Sequence, residues 1–310
     1  MNQETNHHQN ATLQQRIREL AAKKNAVILA HNYQPPEIQD IADLCGDSLE
    51  LSIQAAQTPA DIIVFCGVHF MAETASILSS DKRVLLPKAD AGCPMADMVT
   101  ATALAARIAQ HPEMPVVTYV NSTAAVKAIS TICCTSANAV EVVNSLEADE
   151  VLMVPDRNLA AWTASKTGKT VHAWPGYCPI HDRLTAEEVI RQKHAHPEAF
   201  FMAHPECRAE VLALADLVTS TSGMLRHARE SGGTSFIIGT ENGLLYPLQK
   251  ENPDKTFYPA SEKMVCLDMK KISLADVAAC LDNLSGEVRV PADIRASAYE
   301  AVKKMIDLSS

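Results

Sequence analysis

No C-x-x-C pair occurs anywhere in the sequence, although it carries nine cysteines. That excludes zinc ribbons and ferredoxin-type runs, whose ligands come in close pairs. H-E-x-x-H, the helical signature of a zinc hydrolase, is also missing. No apolar stretch approaches the roughly 18 residues of a membrane span. With a net charge of −10 and no basic tract, neither a membrane nor nucleic acid is an expected partner. The polar segment 1–11 lacks the apolar centre of a secretory signal, and its His7-His8 pair reads as tail. The expected compartment is the cytoplasm. Thiols there are buried, catalytic or metal-bound rather than cross-linked. An acidic chain still accommodates an anionic substrate where its site is locally positive.

What is present is an alternation of short apolar runs and helical stretches. Strands are expected at 26–30, 62–66, 83–86, 116–120, 151–154, 170–173, 200–203, 236–238 and 256–258. Helices fill the intervals, the first over 12–24 with Thr12 as N-cap and Gln15 three residues on. Such alternation implies parallel sheets covered by helices. The pattern also repeats. His31 to Ser48, Tyr119 to Ser136 and His204 to Thr221 each span 17 residues, and Cys93, Cys178 and Cys266 follow at intervals of 85 and 88. The fold expected is α/β: three homologous three-layer α/β/α domains at 12–94, 95–181 and 182–285, with short parallel sheets related by a pseudo-threefold around a central site. A last helix within 286–310 is expected to pack on the first domain.

In open parallel sheets, ligands bind beyond the carboxyl ends of the strands. His31, Tyr33, Tyr119, Asn121, His204 and Glu206 fall at such ends. Ser48, Ser136 and Thr221 fall at expected helix starts, where unpaired amides and the helix dipole attract anions. Several such starts facing one cavity suit a substrate rich in carboxylate or phosphate. Three cysteine loops at the same end give three thiolates, one short of the usual set for an iron–sulfur cluster. The fourth iron would be open to act as a Lewis acid, which suits dehydration chemistry. Cys45, Cys66, Cys133, Cys134, Cys207 and Cys280 read instead as small buried hydrophobes.

The motifs that carry these residues are H-N-Y-Q (31–34), I-A-D-L-C-G-D-S-L (41–49), A-G-C-P-M (91–95), T-Y-V-N-S (118–122), C-C-T-S-A-N-A (133–139), W-P-G-Y-C-P-I-H (174–181), H-P-E-C (204–207), V-T-S-T-S-G-M (218–224), G-T-E (239–241) and M-V-C-L-D-M-K-K (264–271). Together they resemble the quinolinate synthase family over nearly the whole chain. The resemblance implies a transferase of NAD biosynthesis that condenses iminoaspartate with dihydroxyacetone phosphate, losing phosphate and water. It implies an oxygen-sensitive [4Fe-4S] cluster on Cys93, Cys178 and Cys266. It implies proton transfer by Tyr33 and Glu206, with His181 near the reacting atoms. His31 and His204 would hold substrate carboxylates, and Ser48, Tyr119, Asn121, Ser136, Ser220 and Thr221 would complete the pocket. L-aspartate oxidase, which supplies the hydrolysable imine, would be a transient partner. Some family members carry further cysteines before the third ligand; Ala260 and Lys263 stand there in this chain, so no thiol–disulfide switch is expected.

Two other readings compete on the residues alone. One is a zinc hydrolase using Cys178 or Cys93 with His31, His181 or His204. The other is a three-domain binding protein for a small dianion, its cysteines inert and its serines and threonine acting only as helix caps.

Overall fold

In the computed structural model, residues 2–309 are described. Twelve strands among them build three four-stranded sheets. The first holds β1 (Ala26–His31), β2 (Leu44–Gly46), β3 (Ile62–Cys66) and β4 (Arg83–Leu85). The second holds β5 (Val116–Tyr119), β6 (Ile132–Cys134), β7 (Glu150–Val154) and β8 (Thr170–Ala173). The third holds β9 (Phe200–Ala203), β10 (Leu217–Val218), β11 (Ser235–Gly239) and β12 (Thr256–Pro259). All pairings are parallel, and each sheet has the same order, with its second strand at one edge: β2-β1-β3-β4, β6-β5-β7-β8 and β10-β9-β11-β12. The α/β reading and the sequence repeat are thus matched by a repeated topology. Central strands are continuous apolar runs, as strands buried on both faces must be; all five residues of β3 are buried.

The chain divides into two compact units rather than three. One comprises the residues up to Cys93 together with Leu267–Ala292, and the other Pro94–Cys266 together with Asp293–Ser310.

In the first unit, the opening helix runs Asn2–Lys23, so Thr12 lies inside it rather than at its N-cap. The preceding residues contain neither proline nor glycine and continue the helix toward the N-terminus. Gln15 accordingly reaches forward along the helix, donating to Glu19 at 2.8 Å. Ile17 and Ala21 are its buried stripe, and helix Leu274–Asn283 packs against it, with Arg16 paired to Asp282. The domain boundaries expected for the third repeat are therefore corrected: 267–285 leaves that repeat and joins the first. β12 has already completed the third sheet, and the apolar face Val277–Ala278–Leu281 finds its cover elsewhere. The segment beyond then runs beside β4. Leu86 N donates to Gly286 O at 2.9 Å and Val288 N to Val84 O at 2.9 Å. Gly286 has φ +77°, and a Cβ there would lie 2.3 Å from Leu86 O, so only glycine fits.

The second unit holds the second and third sheets. Val116, Val126, Leu152 and Val154 pack with Leu104 in one core; Phe201, Ile237, Ala260 and Met264 pack with Leu184 and Val189 in another. The closing helix Ala292–Leu308, which the sequence suggested would pack on the first domain, falls from Asp293 onward in this unit. Lys304 donates to Thr131 O at 3.2 Å, and Asn138 to Ser309 Oγ at 2.8 Å. Its buried stripe is Ala298, Ala301, Val302 and Met305. None of the described helices is long and apolar enough to cross a membrane.

Candidate active site

Sequence places polar residues at the carboxyl ends of the central strands, and the structure finds them there. In the first unit, β1 ends at His31, whose ring meets Tyr33 edge-on at 4.5 Å between centroids. Tyr33 N donates to His31 Nδ1 at 3.1 Å, which fixes the ring. His31 and Tyr33 are buried, Gln34 donates to Met269 O at 2.8 Å, and Lys270 donates to Tyr33 O. Ser48 is the first residue of helix Ser48–Gln57, but the cap is Asp47, which accepts from Leu49 N and Glu50 N. The Ser48 hydroxyl is therefore not needed as the cap. Cys93 closes the loop after β4 and is half-buried.

In the second unit the polar groups converge more tightly. Glu206, three residues beyond β9 and 3% exposed, lies between two histidines. Its Oε2 is 2.7 Å from His181 Nδ1 and 3.3 Å from His204 Nδ1. The two imidazoles stack at 4.6 Å with 27° between their planes. His181 Nδ1 is also 3.2 Å from Cys178 Sγ, and its Nε2 is 2.8 Å from Thr240 Oγ1. His204 Nε2 is 3.2 Å from Ser136 Oγ. One thiol, one imidazole nitrogen and one carboxylate oxygen, from Cys178, His181 and Glu206, lie within 4.8 Å of one another, a spacing that a metal ion could bridge.

Burial would push the Glu206 carboxyl up, but the charge and hydrogen bonds of His181 and His204 outweigh it and hold the group well below the usual carboxylate range. The ionised form of Glu206 is thus favoured beside the two imidazoles. Its second oxygen, Oε1, has no hydrogen-bond partner among the described residues, nor has Asn121 Oδ1 at the end of β5. Buried acceptors left unmatched are costly, and a ligand that donates to them would satisfy both.

The hydroxyls divide by local structure. Ser220 caps helix Thr221–Glu230, accepting from Gly223 N at 3.2 Å, so Thr221 is the first helical residue and its side chain is spared that task. Ser136 does not begin a helix. It lies in the turn before helix Ala139–Ser145, whose N-cap position is Asn138. That turn is what carries its hydroxyl to His204. Tyr119 is buried at the end of β5.

The cysteines separate as the sequence spacing suggested except for Cys45, which was expected in a core and is half-buried on the edge strand β2. Burial pushes the thiol of Cys133 up to about 12 and that of Cys280 up to about 11, and raises Cys66, Cys134 and Cys207 further from thiolate character. Those five are core residues. Cys93, Cys178 and Cys266 are half-buried on loops. Each loop is anchored alike: His69 N donates to Ala91 O, Arg157 N to Gly176 O and Asn242 N to Met264 O, all at 2.8 Å. In each case the acceptor stands two residues before the cysteine.

Comparison with known proteins now decides the family. Residues 15–307 match the family described as "NadA: Quinolinate synthetase A protein". The chain belongs to the quinolinate synthase family. It is 58% identical over 295 residues to the quinolinate synthase of Geobacter metallireducens, covering 95% of this chain and 97% of that protein. It is 57% identical over 290 residues to that of Geotalea uraniireducens, covering 94% and 95%, and 55% identical over 298 residues to quinolinate synthase 1 of Methanosarcina acetivorans, covering 96% and 98%.

Within this quinolinate synthase family member, three side chains at the site carried no role in the sequence reading. Thr240 fixes His181. Asn158 donates to Glu206 O and to Asp182 Oδ1, both at 3.0 Å. Asp156, buried after β7, accepts from Cys178 N at 3.0 Å. Thr240 stood in the quoted G-T-E motif. Asn158 and Asp156 act on backbone groups of distant residues, and nothing in local sequence signals such partners. Ala260 and Lys263, where extra cysteines would stand, have settled roles: Ala260 is in the core of the third sheet, and Lys263 pairs with Glu188.

Proposed function

We propose that the protein condenses iminoaspartate with dihydroxyacetone phosphate to quinolinate, releasing phosphate and water, with a [4Fe-4S] cluster on Cys93, Cys178 and Cys266. The observation that carries the reading is the ionised Glu206 held between His181 and His204 beside the Cys178 thiol. The donor set fits the cluster. Three half-buried thiols sit on three loops of one construction, while the neighbouring thiols are held protonated by burial. When bound, the cluster would supply Lewis acidity at the iron that no cysteine holds.

The chain's own residues supply the rest. Glu206 takes a proton from the substrate at Oε1, the oxygen without a partner, and returns it to the rearranged intermediate, while His181 and His204 hold Oε2. Thr240 keeps the His181 ring in place for that transfer. Tyr33 is the proton carrier proposed for the first unit, oriented through His31. His31 and His204 bind substrate carboxylates through a ring N–H. Ser48 and Thr221, each the first residue of a helix, present hydroxyl and backbone amides to phosphate or carboxylate, with Ser220 capping behind Thr221. Ser136, Tyr119 and Asn121 complete the substrate contacts. The unmatched Asn121 Oδ1 calls for a donor such as an imine N–H or a hydroxyl. Because free imine hydrolyses in water, L-aspartate oxidase is the transient partner expected to deliver it, in the cytoplasm.

The deciding experiment is iron and acid-labile sulfide analysis after anaerobic purification, with quinolinate formation assayed on the same sample. About four irons and four sulfides per chain are expected, together with activity. Zinc alone would indicate hydrolytic chemistry at Cys178 and His181. Metal-free protein that binds substrate without turnover would indicate a binding protein.

A further inference from the structure

The position two residues after the central strand of each sheet holds Val68, Asp156 and Glu241. These residues recur with the cysteine repeat, and each directly precedes the amide that anchors its cysteine loop: His69, Arg157 and Asn242. Two of the three carry a carboxyl group, and both are almost wholly buried, Asp156 at 2% and Glu241 at 0% exposure. Both direct their oxygens to backbone amides. Asp156 accepts from Leu159 N at 2.6 Å on Oδ1 and from Cys178 N at 3.0 Å on Oδ2. Glu241 accepts from Gly243 N at 2.8 Å on Oε2 and from Cys266 N at 3.0 Å on Oε1. The two side chains differ in length and follow different sheets, yet they make the same pair of contacts. One oxygen holds the turn after the strand, and the other holds the amide of the cysteine.

We propose that Asp156 and Glu241 are positioning residues that clamp the backbone amides of Cys178 and Cys266, so that these two thiolates are preset for the cluster. The inference rests on the cluster reading above. Each of these cysteines is pinned twice: the carbonyl two residues before it accepts from the strand-end turn, and its own N–H is held by the carboxylate from that turn. With φ constrained and the preceding loop closed, the Cα–Cβ bond has a set direction, and only the side-chain torsion remains for metal capture. An amide committed to a carboxylate is also unavailable to the cysteine sulfur, so the clamp governs which N–H groups face the cluster.

Cys93 lacks this device. Val68 has no side-chain acceptor; in that loop Gly92 N, one residue before the cysteine, donates to Asp268 Oδ1 at 3.3 Å. Asp268 is itself engaged by Lys271 at 2.8 Å and is partly exposed. The carboxyl clamp is therefore a feature of the Cys178 and Cys266 loops, which have an acidic residue where the Cys93 loop has Val68.

The test compares Asp156→Asn and Glu241→Gln with wild type and with Glu188→Gln. An amide replaces a carboxylate at equal size but offers one acceptor oxygen where the native group uses both. Glu188 belongs to a helix cap in the same unit and holds Ser261 and Lys263 but no cysteine amide, so its variant reports loosening of the fold, including the turn before Cys266, without loss of a clamp. After anaerobic reconstitution, iron release to excess EDTA is followed, with electron paramagnetic resonance of the dithionite-reduced cluster. Both clamp variants are expected to load, to release iron about tenfold faster, the lower end of what an outer-shell partner of a metal ligand contributes, and to show altered g-values. Glu188→Gln should melt earlier while keeping the wild-type release rate and spectrum. Release rates and spectra in Asp156→Asn and Glu241→Gln that match a normally loaded wild type overturn the clamps and leave the cluster standing. Equal acceleration in Glu188→Gln also overturns them. Wild type that takes up no iron or sulfide overturns the cluster, and the clamps with it. If Asp156→Asn fails to fold, Asp156→Ser keeps a cap oxygen for Leu159 N and gives up only the reach to Cys178.

Discussion

A cysteine's environment decides its chemistry, and the nine here show this at the scale of one side chain. Where the thiol is sealed in a core, ionisation is penalised and the group behaves as a small hydrophobe. Cys178→Ala should therefore abolish both the brown colour of the anaerobic protein and quinolinate formation, while Cys280→Ala should preserve both; absorbance near 400 nm and product assay check this. Glu206→Gln should keep the iron content but lower kcat by roughly a hundredfold or more, the usual contribution of a positioned acid–base group. Turnover near wild type would exclude Glu206 as the proton carrier. These residues were legible in the sequence because type and spacing coincide: an interval repeated between cysteines, a histidine and a glutamate in one short motif. The clamps Asp156 and Glu241 were not legible, because their partners are backbone amides more than 20 residues away, and a backbone amide has no sequence signature.

At the scale of elements, the loops and caps that carry the site are where small changes should register. Gly176 lies two residues before Cys178, and a Cβ there would stand 2.5 Å from Pro155 O and 3.1 Å from Met98 Cβ. Both neighbours are fixed, the first by backbone and the second within the turn that takes the Trp174 indole N–H at 2.8 Å. Gly176→Ala should cost about 1–3 kcal/mol in urea unfolding, the range for overpacking, and should weaken cluster retention. Helix Ala186–Ala195 opens with a capping box between Thr185 and Glu188, and Glu188 also accepts from Ser261 Oγ at 3.0 Å. Burial raises this carboxyl, but the Thr185 amide, Ser261 and Lys263 together hold it below the ordinary glutamate value. A depressed folded-state pKa contributes stability above the unfolded value of about 4.3 that is lost as pH falls through the lowered one. Glu188→Ala should therefore lower the melting temperature at pH 7, and the gap from wild type should close as the pH is taken below about 4. Strand and helix types were readable from apolar runs and alternation. Their starts were less so. Asp47 and Asn138, not Ser48 and Ser136, occupy the cap positions, and several polar residues in a row offer the helix more than one place to begin. Thr12 failed as a cap for the same reason: nothing before it stops the helix.

Over the whole molecule, three sheets share one strand order, which the cysteine interval announced. The routing after Cys266 was not announced, because amphipathic helices fit many apolar faces equally well. Removing residues 293–310 should expose the face that receives Ala298, Val302 and Met305. Hydrogen exchange should then rise in β5, β6 and helix Ala139–Ser145 while β1 and β3 keep their protection. Loss of protection in β1 instead would contradict the docking of the closing helix on the second unit. The opposite traffic, in which Leu274–Asn283 returns to the opening helix, bears on biosynthesis. A nascent chain that has released its first ninety or so residues from the ribosome still lacks the helix that covers Ile17 and the segment that lines β4. The first sheet must wait through the synthesis of both others before its packing can close, so a chaperone that holds nascent chains has its longest engagement at the segment made earliest.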